Sequence, residues 1–286
     1  MHRRDVLAGA VGAVVAGSAI ARGEEPMIPP PKRVAEGRLK QSVCRWCYSG
    51  VELEALCVRA KEIGLASVEL LSENEWGVPA KHGLVCAVGN GPTSISKGYN
   101  RVEHHDRFVT ELERLIPKAA EMGVPSVIVF SGNRDGMDDA AGLENCAKGL
   151  SRSTALAEKH GVTLVMELLN SRVDHGDYMC DRTPWGAKLV DKVGSPRFKL
   201  LYDIYHMQIM EGDIIRTIRD NAACIGHYHT AGVPGRREID RTQELWYPAI
   251  CKAIADSGFT GYLGQEFIPS GDAMGALAEA AQLCVV

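Results

Sequence analysis

The chain has 286 residues, 45% of them hydrophobic, 24% charged and 6% aromatic, which excludes collagen-like, low-complexity and largely disordered classes. Its 36 acidic and 32 basic residues give a formal charge of −4, so no global positive field gathers phosphates and nucleic acid is a poor partner. The length suits one large α/β domain or two smaller ones, and composition does not choose between them.

The chain opens Met1-His2-Arg3-Arg4-Asp5-Val6-Leu7, runs through an Ala/Gly/Val-rich apolar stretch and reaches Ala19-Ile20-Ala21, a small-x-small cleavage pattern. Residues 1–21 therefore resemble a twin-arginine export signal and predict an exported, periplasmic protein with no stable membrane span after cleavage. A span needs about 20 apolar residues, more than residues 6–21 supply. Asp5 and Val6 depart from the usual twin-arginine pattern, which leaves a general secretory signal or a retained anchor as alternatives. Residues 22–40 hold Pro26, Pro29, Pro30 and Pro31 and read as a linker.

From residue 41 onward, β-rich runs alternate with stretches of helical period. Strands are predicted over residues 42–47, 67–71, 84–89, 126–131, 163–169, 199–206, 227–231 and 261–267, with helical patterns such as 53–63, 103–122, 143–159, 213–224 and 248–256 between them. Gly64, Gly123, Gly161 and Gly258 sit where they would close helices. The second unit is the weakest, because residues 76–82 leave room for only a short helix. Eight alternations with no composition break predict an α/β fold, a single (β/α)8 TIM barrel over residues 41–286. A Rossmann sheet would need a GxGxxG after the first strand, and none is present.

The nine cysteines are odd in number and scattered, which argues against a disulfide framework even in an oxidising compartment. Cys44-Arg45-Trp46-Cys47 is the one close pair, but it ends an apolar run instead of opening a helix, and no second pair completes a zinc site. Packing is the preferred reading. His104-His105 reads as a solvated helix start, and the loop 89–100 as a candidate lid. Trp46 divides evenly between facing a ligand and packing. Glu69 lies in the second strand with an uncertain register.

In a barrel, chemistry sits at the carboxyl ends of the strands. Polar residues interrupt four successive late strands at that place: Glu167 in Met166-Glu167-Leu168-Leu169, Asp203 in Tyr202-Asp203-Ile204-Tyr205-His206, His229 in His227-Tyr228-His229, and Glu266 in Gly264-Gln265-Glu266-Phe267. Alone, a strand Glu is more often a salt-bridge partner and a lone His a satisfied core residue. Four such groups about one strand-and-helix unit apart need a shared reason, since a carboxylate buried in an apolar strand is costly unless paired, protonated or bound to metal. Three carboxylates and one imidazole suit one divalent ion, Mn²⁺ or Mg²⁺ first, then Co²⁺ or Zn²⁺.

These motifs, with His227-Tyr228-His229-Thr230-Ala231-Gly232-Val233-Pro234-Gly235-Arg236, resemble the xylose-isomerase-like barrel superfamily, and within it the hydroxypyruvate isomerase and ketose 3-epimerase branch. The resemblance runs from residue 41 to the carboxyl terminus. It implies Glu167, Asp203, His229 and Glu266 as metal ligands, Glu167 and Glu266 as the acid and base pair, His206 as a binder of a substrate oxygen, and Arg236 as the holder of a substrate oxygen or carboxylate. The expected activity is isomerisation of a small hydroxy-oxo acid or sugar through an enediolate, closest to hydroxypyruvate isomerase. His229 stands where hydroxypyruvate isomerases often have Gln and the epimerases have His, so a ketose 3-epimerase or a polyol dehydratase stays open. A reading from another class is a non-catalytic exported sugar-binding protein. Helix faces on the outer ring would allow a homo-oligomer. An endonuclease IV-type repair enzyme would need histidines at the ends of the third and fourth strands and an Asp-x-His near the seventh, and the chain has neither.

Overall fold

The computed structural model describes Arg33 and residues 36–286. The predicted export signal and most of the predicted linker lie outside the described residues. Eight parallel strands appear among them: β1 (Lys40–Cys44), β2 (Ser67–Glu69), β3 (Val88–Gly89), β4 (Ser126–Val129), β5 (Thr163–Glu167), β6 (Phe198–Asp203), β7 (Ile225–Thr230) and β8 (Tyr262–Gln265). They follow the order β2-β1-β8-β7-β6-β5-β4-β3. Bridges Ser67 to Val85 and Leu71 to Gly89, with the Leu70 N–H donating to the Val88 carbonyl at 2.7 Å, join β2 to β3 and close the predicted barrel.

Helices cover the outside: α1 (Leu53–Ile63), α2 (Val78–Lys81), α3 (His105–Glu121), α4 (Asp139–His160), α5 (Thr183–Val193), α6 (Ile204–Met210), α7 (Ile214–Asn221), α8 (Tyr247–Asp256) and α9 (Ala273–Leu283). Each main helix lays one apolar stripe on the strands; in α1 that stripe is Leu56, Cys57, Ala60 and Ile63. The four glycines predicted to close helices all adopt left-handed φ, from 70 to 106°, as a helix-ending turn requires. At the start of α4 the Asp138 carboxylate accepts the Ala140 and Ala141 N–H groups, a cap worth about 1 kcal/mol. Inside the barrel, Ala87, Val88, Ile128, Val165 and Leu201 pack into their own apolar cluster. Among the described residues no helix is long and apolar enough to cross a membrane.

Several predicted strand boundaries move, most of them by a strand ending earlier than predicted. The predicted sixth strand ends at Asp203, whose carboxylate caps α6 by accepting the His206 N–H at 3.0 Å, so Ile204 to His206 are helical. The predicted first strand ends at Cys44, and a 3-10 turn, Arg45–Tyr48, follows it. His105 is buried, not solvated. Its ring nitrogen lies 2.8 Å from the Tyr99 carbonyl, in space that Gly149 leaves open by having no Cβ.

Candidate active site

The parallel register brings the predicted polar residues level with one another. Asp203 on β6 pairs with His229 on β7, and His229 pairs with Gly264 on β8. Glu167 ends β5 and Glu266 directly follows β8. Ligand atoms of Glu167, Asp203, His229 and Glu266 all lie within 4.8 Å of one another, and all four residues are buried. The Nδ1 of His229 lies 3.2 Å from Glu167 Oε1 and 3.0 Å from Glu266 Oε2.

Arg236 and His206 stand beside this cluster. The Arg236 guanidinium donates to Glu266 Oε2 at 2.6 Å, lies 3.6 Å from Asp203 Oδ2, and stacks against Trp46 and Tyr205. Its backbone has φ 57°, a left-handed conformation that costs a non-glycine residue about 1–2 kcal/mol. The Arg236 N–H offsets part of that cost by donating to the Gly232 carbonyl at 2.9 Å. His206 accepts at Nδ1 from the Asn170 backbone N–H at 3.1 Å and faces the Asn170 side-chain amide at 2.6 Å, so its proton sits on Nε2. That Nε2 lies 3.8 Å from Asp203 Oδ2.

Crowding four ionisable groups out of water splits their proton affinities. Burial and the neighbouring Glu266 push the Asp203 carboxyl well above the usual carboxylate range, and the same two causes raise Glu167. Burial also opposes ionisation of Glu266, yet Arg236 and His229 outweigh it and hold that carboxyl well below the range. For His229, burial disfavours the imidazolium, but Cys44, Glu266 and Glu167 reverse this and raise its pKa well above the ordinary value. Burial, reinforced by Arg236, keeps His206 neutral.

Among the buried polar atoms without a hydrogen-bond partner, three belong to the cluster and to the two residues beside it: Asp203 Oδ2, His206 Nε2 and Arg236 Nε. One is an acceptor and two are donors, which is the complement of a cation plus ligand oxygens. Three carboxylates with one imidazole form a donor set that suits Mn²⁺ or Mg²⁺. The cluster opens into a cavity of about 410 Å³ whose opposite wall is Leu70, Asn90, Ile95, Ile128 and Phe130.

Residues that sequence reasoning left undecided find places here. Trp46, 41% exposed, lines the cavity and donates its indole N–H to Glu266 Oε1 at 2.7 Å. Glu69 is wholly buried, with Oε1 2.8 Å from the Nε2 atoms of both His227 and His229. Burial opposes its ionisation, and the two imidazoles overcome that and depress its pKa. The loop 89–100 contributes Asn90 and Ile95 to the cavity wall and is pinned by Tyr99 N–H donating to the Phe130 carbonyl. His175, in the loop after β5, lines the same cavity and was missed, because nothing local marks a loop histidine as facing a site. All nine cysteines are free thiols; Cys44 is buried 3.6 Å from both Glu69 Oε1 and His229 Nε2.

The chain is similar to a human protein provisionally named a hydroxypyruvate isomerase, at 30% identity over 82% of this chain and 80% of that protein. It is 27% identical to a 2-oxo-tetronate isomerase of Pectobacterium atrosepticum, over 74% of this chain and 85% of the relative. A crystal structure from Brucella melitensis described as an AP endonuclease of family 2 superposes with a TM-score of 0.77 at 24% identity, covering 85% of this chain and 98% of that one; at this identity it shows the fold alone. Residues 57–284 match the family described as xylose isomerase-like TIM barrel. The closed eight-stranded barrel, that match and the length of the human alignment agree: the chain belongs to the xylose isomerase-like TIM-barrel family.

Proposed function

We propose that the protein is a divalent-metal-dependent isomerase that interconverts a small hydroxy-oxo acid, of the hydroxypyruvate class, by proton transfer between adjacent carbons. The observation that carries this reading is the convergence of three partnerless buried atoms, Asp203 Oδ2, His206 Nε2 and Arg236 Nε, on a cluster of three carboxylates and one imidazole. Glu167, Asp203, His229 and Glu266 would hold the cation. When bound, it would polarise the substrate carbonyl, acidify the neighbouring C–H and stabilise negative charge on the two oxygens.

The protein's own groups would do the rest. Glu167 and Glu266 face the cavity from β5 and from the residue after β8, so one can take a proton from carbon and the other can return one. The N–H groups of His206 Nε2 and Arg236 Nε would donate to substrate oxygens, and the Arg236 charge would hold a carboxylate. The Asn170 amide keeps His206 in the tautomer that donates. Apolar residues of the opposite wall would exclude water from the carbanionic species.

The names of the human and Pectobacterium relatives support an isomerase of hydroxy-oxo acids. His229 keeps a ketose 3-epimerase as the second reading, since the same residues can return the proton to the opposite face of one carbon. An endonuclease-like three-metal site lacks its histidines: among the described residues β3 is followed by Asn90, and Phe130 and Ser131 follow β4. We also propose export through residues 1–21, which amino-terminal sequencing of the mature protein tests.

The decisive experiment incubates the protein with Mn²⁺ and hydroxypyruvate, 2-oxo-tetronate and simple ketoses in D₂O, following deuterium incorporation by NMR. Exchange into one substrate that vanishes with EDTA and in Glu167→Gln supports the reading and names the substrate. No exchange in any of them, with Mn²⁺ bound, overturns it in favour of a lyase or a binding protein.

A further inference from the structure

Glu69 has no place in the proton transfer described above, yet it is one of the most completely buried acids of the described chain. It stands on β2, while the imidazoles it meets stand on β7, with β1 and β8 lying between them in the sheet. The gap is crossed because the two intervening positions are small. Cys44 on β1 is the register partner of Glu69, and Gly264 on β8 is the register partner of His229. A Cβ at Gly264 would lie 2.6 Å from Glu69 Oε1 and 2.9 Å from His229 Cδ2, so the glycine leaves the space through which the two side chains touch.

The hydrogen bonding is directional. A carboxylate oxygen accepts, so the Nε2 atoms of His227 and His229, each 2.8 Å from Glu69 Oε1, both donate to it. With Nε2 committed to Glu69, the nitrogen that His229 turns toward Glu167 and Glu266 is Nδ1. His227 lies two residues before His229 on the same strand and therefore on the same face, where it holds the carboxylate from a second side. Its ring stands at 89° to that of His229, with centroids 5.1 Å apart.

We infer that Glu69, braced by His227, is a positioning residue that fixes the ring orientation and tautomer of His229 so that Nδ1 is presented to a cation held by Glu167, Asp203 and Glu266. The inference rests on the proposed metal site and adds the cross-barrel support that this site would require. Outer carboxylates of this kind typically alter metal affinity by about 10–100-fold when removed.

The test measures Mn²⁺ affinity from the EPR signal of free Mn²⁺, together with the unfolding midpoint of the metal-free protein, for wild type, Glu69→Gln, Gly264→Ala, His227→Gln and Asp203→Asn. Expected are a loss of affinity of about 10–100-fold in Glu69→Gln, a loss in the same direction in Gly264→Ala, and a smaller one in His227→Gln. Wild-type affinity in folded Glu69→Gln overturns the inference, even if its unfolding midpoint falls, because a merely structural carboxylate would move stability alone. Should Glu69→Gln not fold, His227→Gln decides, because it loosens Glu69 without touching a proposed ligand: weakened Mn²⁺ binding supports the link and unchanged binding overturns it. Asp203→Asn separates the two levels, since it should abolish Mn²⁺ binding while leaving the Glu69 contact intact. A wild-type protein that binds no Mn²⁺ overturns the metal site itself and this inference with it.

Discussion

Strands β5 to β8 end in Glu167, Asp203, Thr230 and Gln265, whereas β1 to β4 end in Cys44, Glu69, Gly89 and Val129. In the later half each strand, or the residue just after it, delivers a polar group to the mouth, with His229 one residue before the end of β7. The earlier half delivers mostly apolar wall, and two of its strands are only three and two residues long. On the proposed function the reacting groups and their cation would belong to one half of the barrel, while the other half lines the cavity with Trp46 and reaches His229 from β2 through Glu69.

The comparison breaks most sharply at the glutamates. Glu167→Gln and Glu266→Gln should each lower turnover by about 10²–10⁴-fold, the usual worth of a positioned acid or base. Circular dichroism should stay unchanged, and steady-state kinetics within tenfold of wild type would move the chemistry elsewhere.

Metal removal is the next largest effect, and its pH dependence has a definite sign. In the chelated protein the pKa values of Asp203 and Glu167 are raised, so their folded forms hold protons that the unfolded chain has released. Their contribution to stability falls as pH rises above the ordinary carboxylate value. His229, also raised, stabilises below its ordinary value and loses that contribution as pH rises through its folded value. Glu266 and Glu69, both lowered, act the other way and lose their contribution only in acid. Thermal unfolding with EDTA should therefore be best in mild acid and worsen toward alkaline pH. A fixed Mn²⁺ concentration about 100 times the Kd at neutral pH should restore about 3 kcal/mol there, and more at higher pH, where ligand deprotonation tightens binding. An EDTA-insensitive unfolding midpoint would remove the cation from the account.

The supporting half should show smaller losses. Trp46→Phe keeps an aromatic wall but removes the N–H that donates to Glu266, and a bond to a charged group of this kind is worth about 1.5–3 kcal/mol, or about 10–100-fold in kcat/KM. Smallest is Asn90→Ala. Asn90 lines the cavity and its amide reaches only the Leu70 carbonyl at 3.3 Å, so the change should raise KM a few-fold and leave kcat nearly unchanged. An equal fall in kcat would place Asn90 with the reacting groups and blur the division between the halves.

The two halves also differed in how well they could be read from the chain. Glu167, Asp203, His229 and Glu266 stood out because each interrupts a long apolar strand, and an ionisable residue there is costly enough to demand a reason. Glu69 sits in a three-residue strand, too short for alternation to say which way it points. Trp46 follows β1 in a 3-10 turn, and its direction depends on that turn, not on strand period. His105 misled because polar residues at a helix start usually face water, and the space that buries it is opened by Gly149, 44 positions away.

What the sequence determined by itself is what local periodicity encodes: eight strand-and-helix units, the glycines that close helices, and the strands on which polar residues fall. Hydrophobic period and turn chemistry act over a few residues, so they survive without tertiary knowledge. Only the tertiary structure decided where each strand stops, that Glu69 reaches across the barrel to His229, and that Arg236 lies against Glu266 and Asp203. Those outcomes depend on register and closure, which bring together residues about 30 to 160 positions apart, and no local pattern records which of them will meet.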